Sequence, residues 1–405
     1  MTEWKRGWRV VLGAALAAGT GVNLLYTISS IFLPQLQKET GWTLGQFSQI
    51  SALVGLGSLA APAAGWAMDR FGFRRVYALG MILIASVYIA VASLPLVLEF
   101  YALAVFSAGL VGLLTSSIAY TRAVNGWFTV NRGFALSLAA TGLSLSAVIA
   151  PPLFERLVAA EGWRAGYLAL ALLAGLVGLP AILFLLRDEP PVARQTVKHD
   201  TPVEKSHMRT SAFWLLALML FCLNFPGSGM LSQMVPMLLE EGLTSKTAAL
   251  GISAFAAGQV AGRLACGWLL DRTNPVQVGF WFTLVPAIGC LMLWRLDGSV
   301  LLSLIAVTAV GVQQGAEIDL LGYFVARRFG LVRYGMIYGW IQTAGWAGVI
   351  GGILLFGLIH DLTGSYTLFQ LIGAFAYAAG AFAILAIRLP RREIATGSGL
   401  SIMNE

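Results

Sequence analysis

Twelve apolar stretches of about twenty or more residues follow one another along this chain, interrupted only by short charged or turn-forming segments. A helix needs roughly 20 mostly apolar residues to cross the hydrocarbon core of a bilayer. In that core the backbone can satisfy its hydrogen bonds only within helices or closed barrels. The pattern therefore predicts an all-α membrane protein with twelve spanning helices. Composition agrees, since 58% of the 405 residues are apolar and 11% charged, a balance that a water-soluble surface of this size could not carry.

The first set of spans is predicted at about 10–33, 43–68, 74–95, 98–124, 133–156 and 163–186, and the second at about 211–239, 244–270, 276–296, 299–326, 335–359 and 365–388. This divides the chain into a six-helix bundle over 1–186, a linker over 187–210, a second six-helix bundle over 211–390 and a tail over 391–405. The linker holds charges, prolines and two histidines with no apolar period. Internal repetition supports the two halves, because several landmarks recur at one offset. Pro34 and Glu39 return as Pro236 and Glu241, Gly133 and Gly162 return as Gly335 and Gly364, and the segment from Gly65 to Arg70 returns from Gly267 to Arg272. Duplicated halves are a common plan for transporters.

The net charge of +7 would suggest a nucleic-acid partner in a soluble protein, but here it is read by position. Placing alternate loops on alternate sides gathers 19 of the 26 Lys and Arg on the side of both chain ends and the linker. The positive-inside rule makes that side cytoplasmic. The expectation is a multi-pass protein of a bacterial inner (cell) membrane with both termini in the cytoplasm and no nucleic-acid partner. Trp4, Trp8 and Trp42 suit an interfacial aromatic belt. Cys222, Cys266 and Cys290 lie inside apolar runs without ligand spacing, so no metal or cofactor is expected. No hydrolase, protease or phosphate-loop motif occurs, and His199, His207 and His360 fall in loops or at a helix end, so an enzyme is not expected.

The stretch Gly65-Trp-Ala-Met-Asp69-Arg70-Phe-Gly72-Phe-Arg74-Arg75, between the second and third spans, resembles the signature loop of the major facilitator superfamily. The resemblance covers the whole chain and implies two bundles around a central cavity that opens to each side in turn, in a monomer. Asp69 with Arg70, Arg74 and Arg75 would form a conformational latch, or these charges would only set topology. In the second copy, Asp271-Arg272 is followed by Thr273-Asn274-Pro275, so a weaker latch is expected there. Within the superfamily, Asn125-Gly-Trp127 through Gly142 and Gly315-Ala-Glu317-Ile-Asp319 with Arg327-Arg328-Phe329-Gly330 resemble monocarboxylate transporters and oxalate and formate exchangers.

Arg263 lies eight residues before Asp271, hence roughly 12 Å from that helix end. A guanidinium at such depth costs about 3 kcal/mol even on a mild scale unless it is paired or faces a watery cavity. The family resemblance makes it the substrate-carboxylate site, and the planar fork suits a carboxylate; a purely structural pairing with Glu317 or Asp319 is the alternative. Gln259 stands where animal members of that family usually carry an aspartate, so the resemblance does not extend to proton coupling through that pair; the eleventh span has no lysine, the second cation of the oxalate exchangers, which favours a single carboxylate over oxalate. Glu317 and Asp319 are the carboxylates well inside a span, and either could carry a proton or neutralise Arg122. The implied fold adds Asn23, Tyr26, Ser117, Tyr120, Asn224, Gln313, Gln314, Tyr338 and Gln342 as candidate substrate contacts. The function expected is secondary transport of a small organic monocarboxylate, coupled to protons as a symport; proton-driven drug or cation efflux and organic anion exchange are the alternatives.

Overall fold

The computed structural model describes residues 2–42, 46, 47, 50, 57–95, 97–187, 208–294 and 299–389. Most of the linker, with His199 and His207, the tail over 391–405 and much of the first half of the second predicted span lie outside the described residues.

The described elements are α1 (Thr2–Thr20), α2 (Val22–Thr40), α3 (Ala61–Phe71), α4 (Phe73–Ser93), α5 (Leu98–Gly112), α6 (Ser117–Asn125), α7 (Arg132–Leu173), α8 (Ser211–Ser232), α9 (Met234–Glu240), α10 (Ser245–Arg272), α11 (Pro275–Trp294), α12 (Val300–Phe329), α13 (Tyr334–Thr363) and α14 (Thr367–Leu385). Nine helical segments among the described residues are long and apolar enough to cross a membrane. One of them, Arg132–Leu185, holds two spans folded back at Gly162, whose φ of 87° suits glycine. With the partly described second span and α10, these make the twelve spans of two pseudo-symmetric six-helix bundles.

Several boundaries differ from the apolar pattern for identifiable reasons. The first span is two helices, because Gly21 takes an extended conformation (φ −78°, ψ −164°) between α1 and α2. The fourth span is likewise interrupted by a 3₁₀ turn over Leu113–Thr115 and an extended Ser116 (φ −82°, ψ −173°). Hydropathy runs through both breaks without a mark. They face each other: Thr115 Oγ1 accepts from the Val22 N–H (3.1 Å) and donates to the Gly112 carbonyl (3.0 Å). Side chains thus satisfy backbone freed at membrane depth, as irregular backbone there requires.

The two bundles meet where α3 packs on α13 and α10 packs on the first arm of α7. Both contacts use paired glycines. A Cβ on Gly65 would collide with the Gly335 carbonyl, and one on Gly133 with the Gly267 carbonyl, so backbones touch directly. The offset of 202 residues carries Gly65 onto Gly267 and Gly133 onto Gly335, so one contact is the repeat of the other with partners exchanged.

Candidate functional site

A cavity of about 220 Å³ lies between the bundles. Val22, Asn23 and Tyr26 of α2 line it, with Gly109, Gly112 and Leu113 near the break in the fourth span, Ser116, Ser117 and Ile118 at the start of α6, and Leu143 of α7. The other half contributes Gln259 and Arg263 of α10, Gln314, Glu317 and Ile318 of α12, and Gln342 and Trp346 of α13. Because the first and fourth spans break here, α2 and α6 both begin beside the cavity. A helix N-terminus carries a partial positive charge and favours an anion. Arg263 adds a full charge to the same space.

Arg263 is 4% exposed. Its Nη1 donates to the Ala140 carbonyl (2.8 Å) and to Ser144 Oγ (2.9 Å) on α7, and its Nε to the Gly315 carbonyl (3.3 Å) on α12. The close approach of α10 and α12 depends on Gly315, where a Cβ would meet the Gln259 carbonyl. Neither helix-12 carboxylate forms a direct pair with Arg263; each is held by a neutral donor. Asn224 Nδ2 and Gln314 Nε2 both donate to Glu317 (2.8 Å each), which faces the cavity. Asp319 is fully buried, away from the cavity lining, and accepts from Ser137 Oγ of α7 (2.5 Å). Two residues apart on a helix means about 200° of rotation, so the two carboxylates serve opposite faces. Asp319 is therefore not beside Arg122, which approaches Asp69 instead (4.0 Å).

Of the other candidates, Asn23, Tyr26, Ser117, Gln314 and Gln342 line the cavity, whereas Tyr120, Asn224, Gln313 and Tyr338 do not. Tyr120 and Gln313 are fully buried in packing, Asn224 buttresses Glu317, and Tyr338 Oη donates to Ser117 Oγ (3.1 Å) across the bundle interface. Ser137 and Ser144 were absent from the candidates, because a serine on a small-residue helix carries no signal until its partner is placed. Trp346 was missed as one more indole in a hydrophobic run.

The signature loop is built differently from an aspartate paired with loop arginines. Asp69 Oδ1 and Oδ2 accept from the Gly335 and Met336 N–H groups (3.0 and 2.9 Å) at the start of α13. Asp271 accepts in the same way from Gly133 and Phe134 (2.7 and 2.8 Å) at the start of the first arm of α7. The second tie is thus as close as the first despite lacking the glycine and arginines, since backbone donors need neither. Arg74 donates to the Ile182 and Leu183 carbonyls within its own bundle. Arg70 and Arg272 stack over Trp66 and Trp268 (5.5 and 4.2 Å), and Arg75 is exposed.

Among the described residues no group of three or more His, Cys, Asp or Glu is placed to hold a metal ion. At the end of the molecule opposite the signature loops, these ties among the described residues are local to each bundle. Glu39 takes Trp163 Nε1 (2.6 Å) and Arg164 (2.8 Å), while Glu240 meets His360 (3.0 Å) and Glu241 meets Gln370 (3.1 Å).

The family model described as Major Facilitator Superfamily matches residues 12–316 and 222–401. Human monocarboxylate transporter 11 is 28% identical over 416 residues, covering 95% of this chain and 83% of its own. The gallate transporter of Pseudomonas putida is 26% identical over 411 residues, covering 89% of this chain and 87% of its own. Among solved structures, the E. coli fucose:proton symporter superposes with a TM-score of 0.75 at 19% identity, over 93% of this chain and 98% of its own.

Proposed function

From the premise that this chain belongs to the major facilitator superfamily and is a membrane transporter, we propose that it carries a small organic monocarboxylate, with protons, by alternating access of the central cavity. The observation that carries this reading is Arg263, buried on the cavity wall well inside its span, with the first residues of α2 and α6 lining the same space. One guanidinium and two helix ends favour an anion, and a single guanidinium fork suits one carboxylate. Similarity to a monocarboxylate transporter and to a gallate transporter supports that class and brings a hydroxylated aromatic acid into the panel worth testing. Asn23, Tyr26, Ser117, Gln314 and Gln342 then read the remainder of the solute.

Glu317 is the proton carrier in this mechanism, because it shares the cavity with Arg263 while its oxygens are held by amides rather than by a cation. Protonated Glu317 and a carboxylate on Arg263 leave the loaded cavity without an unpaired anion, which lowers the cost of passing through an occluded state. The ties made by Asp69 and Asp271 close the end that carries most of the positive charge; this is the cytoplasmic end by the positive-inside rule. Breaking them while the opposite end closes releases the load on the cytoplasmic side of a bacterial inner membrane, and the reverse exchange of closed ends returns the empty monomer.

The test is uptake into liposomes of labelled gallate, benzoate, lactate and oxalate, with and without an inward proton gradient. Gradient-stimulated uptake of a monocarboxylate, lost in Arg263→Ala, is the expected result. Unchanged uptake in that variant, or efflux of cationic dyes with no uptake of any acid, overturns the reading.

A further inference from the structure

One stripe of α7 is held by the opposite bundle at every turn. Gly133 and Phe134 N–H groups go to Asp271, Ser137 Oγ goes to Asp319, and the Ala140 carbonyl and Ser144 Oγ take Nη1 of Arg263. Positions 133, 137, 140 and 144 are spaced by four, three and four, which is one face of an α-helix. The stripe rises about 16 Å from the helix end to the cavity. It closes the basic end as a graded series, with Arg263 as its innermost member. That same guanidinium lines the cavity.

We propose that Arg263 is a shared donor whose release by α7 is the switch: in the empty protein the Ala140 carbonyl and Ser144 hydroxyl hold Nη1, and a substrate carboxylate takes it from them. Binding thereby undoes the innermost tie between the bundles and favours opening of the basic end. Ser144 is then a positioning residue that sets the balance between substrate affinity and closure, without touching the substrate. The inference rests on the anion-site reading of Arg263. Nε and both Nη1 hydrogens of Arg263 are engaged, which leaves those of Nη2; a two-point carboxylate fork needs an N–H from each of two nitrogens, so a carboxylate that pairs with Nη1 and Nη2 displaces Ala140 or Ser144. A ligand shifts a conformational equilibrium only through different contacts in the two states, and this exchange supplies such a difference.

The test uses the full-length protein in nanodiscs, labelled at Val130→Cys and Asn274→Cys on the two bundles at the basic end, both positions being exposed. The natural Cys222, Cys266 and Cys290 are buried and stay unlabelled. Spin-label distances report the open fraction, and gallate is the binding probe. Ser144→Ala is expected to raise the open fraction of the empty protein about threefold and to lower the apparent Kd for gallate by a similar factor, while Ser144→Thr, which keeps the hydroxyl, restores both. Ser137→Ala is expected to raise the open fraction with a smaller effect on Kd. In the Arg263→Ala background, Ser144→Ala should change nothing further. An unchanged open fraction in Ser144→Ala, or a weaker affinity, overturns the proposal. Gallate binding that survives Arg263→Ala overturns the anion-site reading instead, and absence of gallate binding to the wild type removes that acid while the empty-state populations still decide the role of Ser144.

Discussion

Replacing Asp271 by Asn tests whether the repeated aspartates close the basic end through helix N-termini. The carboxylate receives two backbone N–H groups at 2.7 and 2.8 Å from the first turn of α7's first arm. Asn keeps the shape and one acceptor oxygen, so it loses one of the two hydrogen bonds and the charge. A hydrogen bond to a charged group contributes roughly 1.5–3 kcal/mol net, and a partly buried anion at a helix N-terminus up to about 2 kcal/mol, overlapping with that figure. A loss of about 2 kcal/mol in closure is therefore expected, which is roughly a 30-fold change in the closed-to-open ratio. A wild-type open fraction of about 1% would rise to about a quarter. The spin-label pair at positions 130 and 274 reads this directly in the empty protein. Asp69→Asn should behave alike, its contacts being 3.0 and 2.9 Å. An open fraction within twofold of wild type in Asp271→Asn would refute the reasoning, because the backbone contacts would then be a consequence of closure and not a cause.

Glu317→Gln keeps the shape and one acceptor oxygen, so one amide contact survives as it stands and the other requires Gln314 to turn its amide and accept, while the titrating group is removed. Proton-gradient stimulation of acid uptake should vanish, and exchange of labelled for unlabelled acid at equal pH should persist; retained stimulation would exclude Glu317 as the carrier. Gly65→Val inserts a side chain where backbone meets the Gly335 carbonyl. It should hold the basic end open and reduce uptake at least tenfold while the protein still purifies as a folded monodisperse species, and normal uptake would show that the close approach is dispensable.

The superfamily fold was legible because membrane depth imposes a length on every span and duplication leaves matched landmarks. What escaped were features without a compositional signature. Gly21 and the turn at Leu113–Thr115 interrupt spans whose hydropathy is continuous, so the starts of α2 and α6 beside the cavity could not be read from apolar runs. The partners of Asp69 and Asp271 are backbone N–H groups, which every residue but proline offers. Loop arginines were the visible alternative, and they serve carbonyls and indoles instead. Among the polar candidates the sequence does not tell which face of a helix meets the cavity. Gln313 and Gln314 differ by about 100° of rotation, which sends one into packing and the other to the cavity.

The repeat also separates what the two halves share from what only one of them does. The offset of 202 maps the tie of Asp69 onto that of Asp271, and it carries Ser117 onto Asp319, whose partners across the interface, Tyr338 and Ser137, lie one residue out of register with each other. The machinery of closure is therefore symmetric. The charges of the cavity are not: Arg263 corresponds to Ala61, and Glu317 to Thr115. Thr115 spends its hydroxyl on the broken backbone of the first and fourth spans beside the cavity, while the equivalent Glu317 offers a titratable group. One half thus contributes two helix starts and the other an arginine and a titratable carboxyl. Only when the halves are apposed around the cavity does an anion meet both, so a solute that needs both sets of contacts is held most tightly in the occluded state, the one from which either end can open.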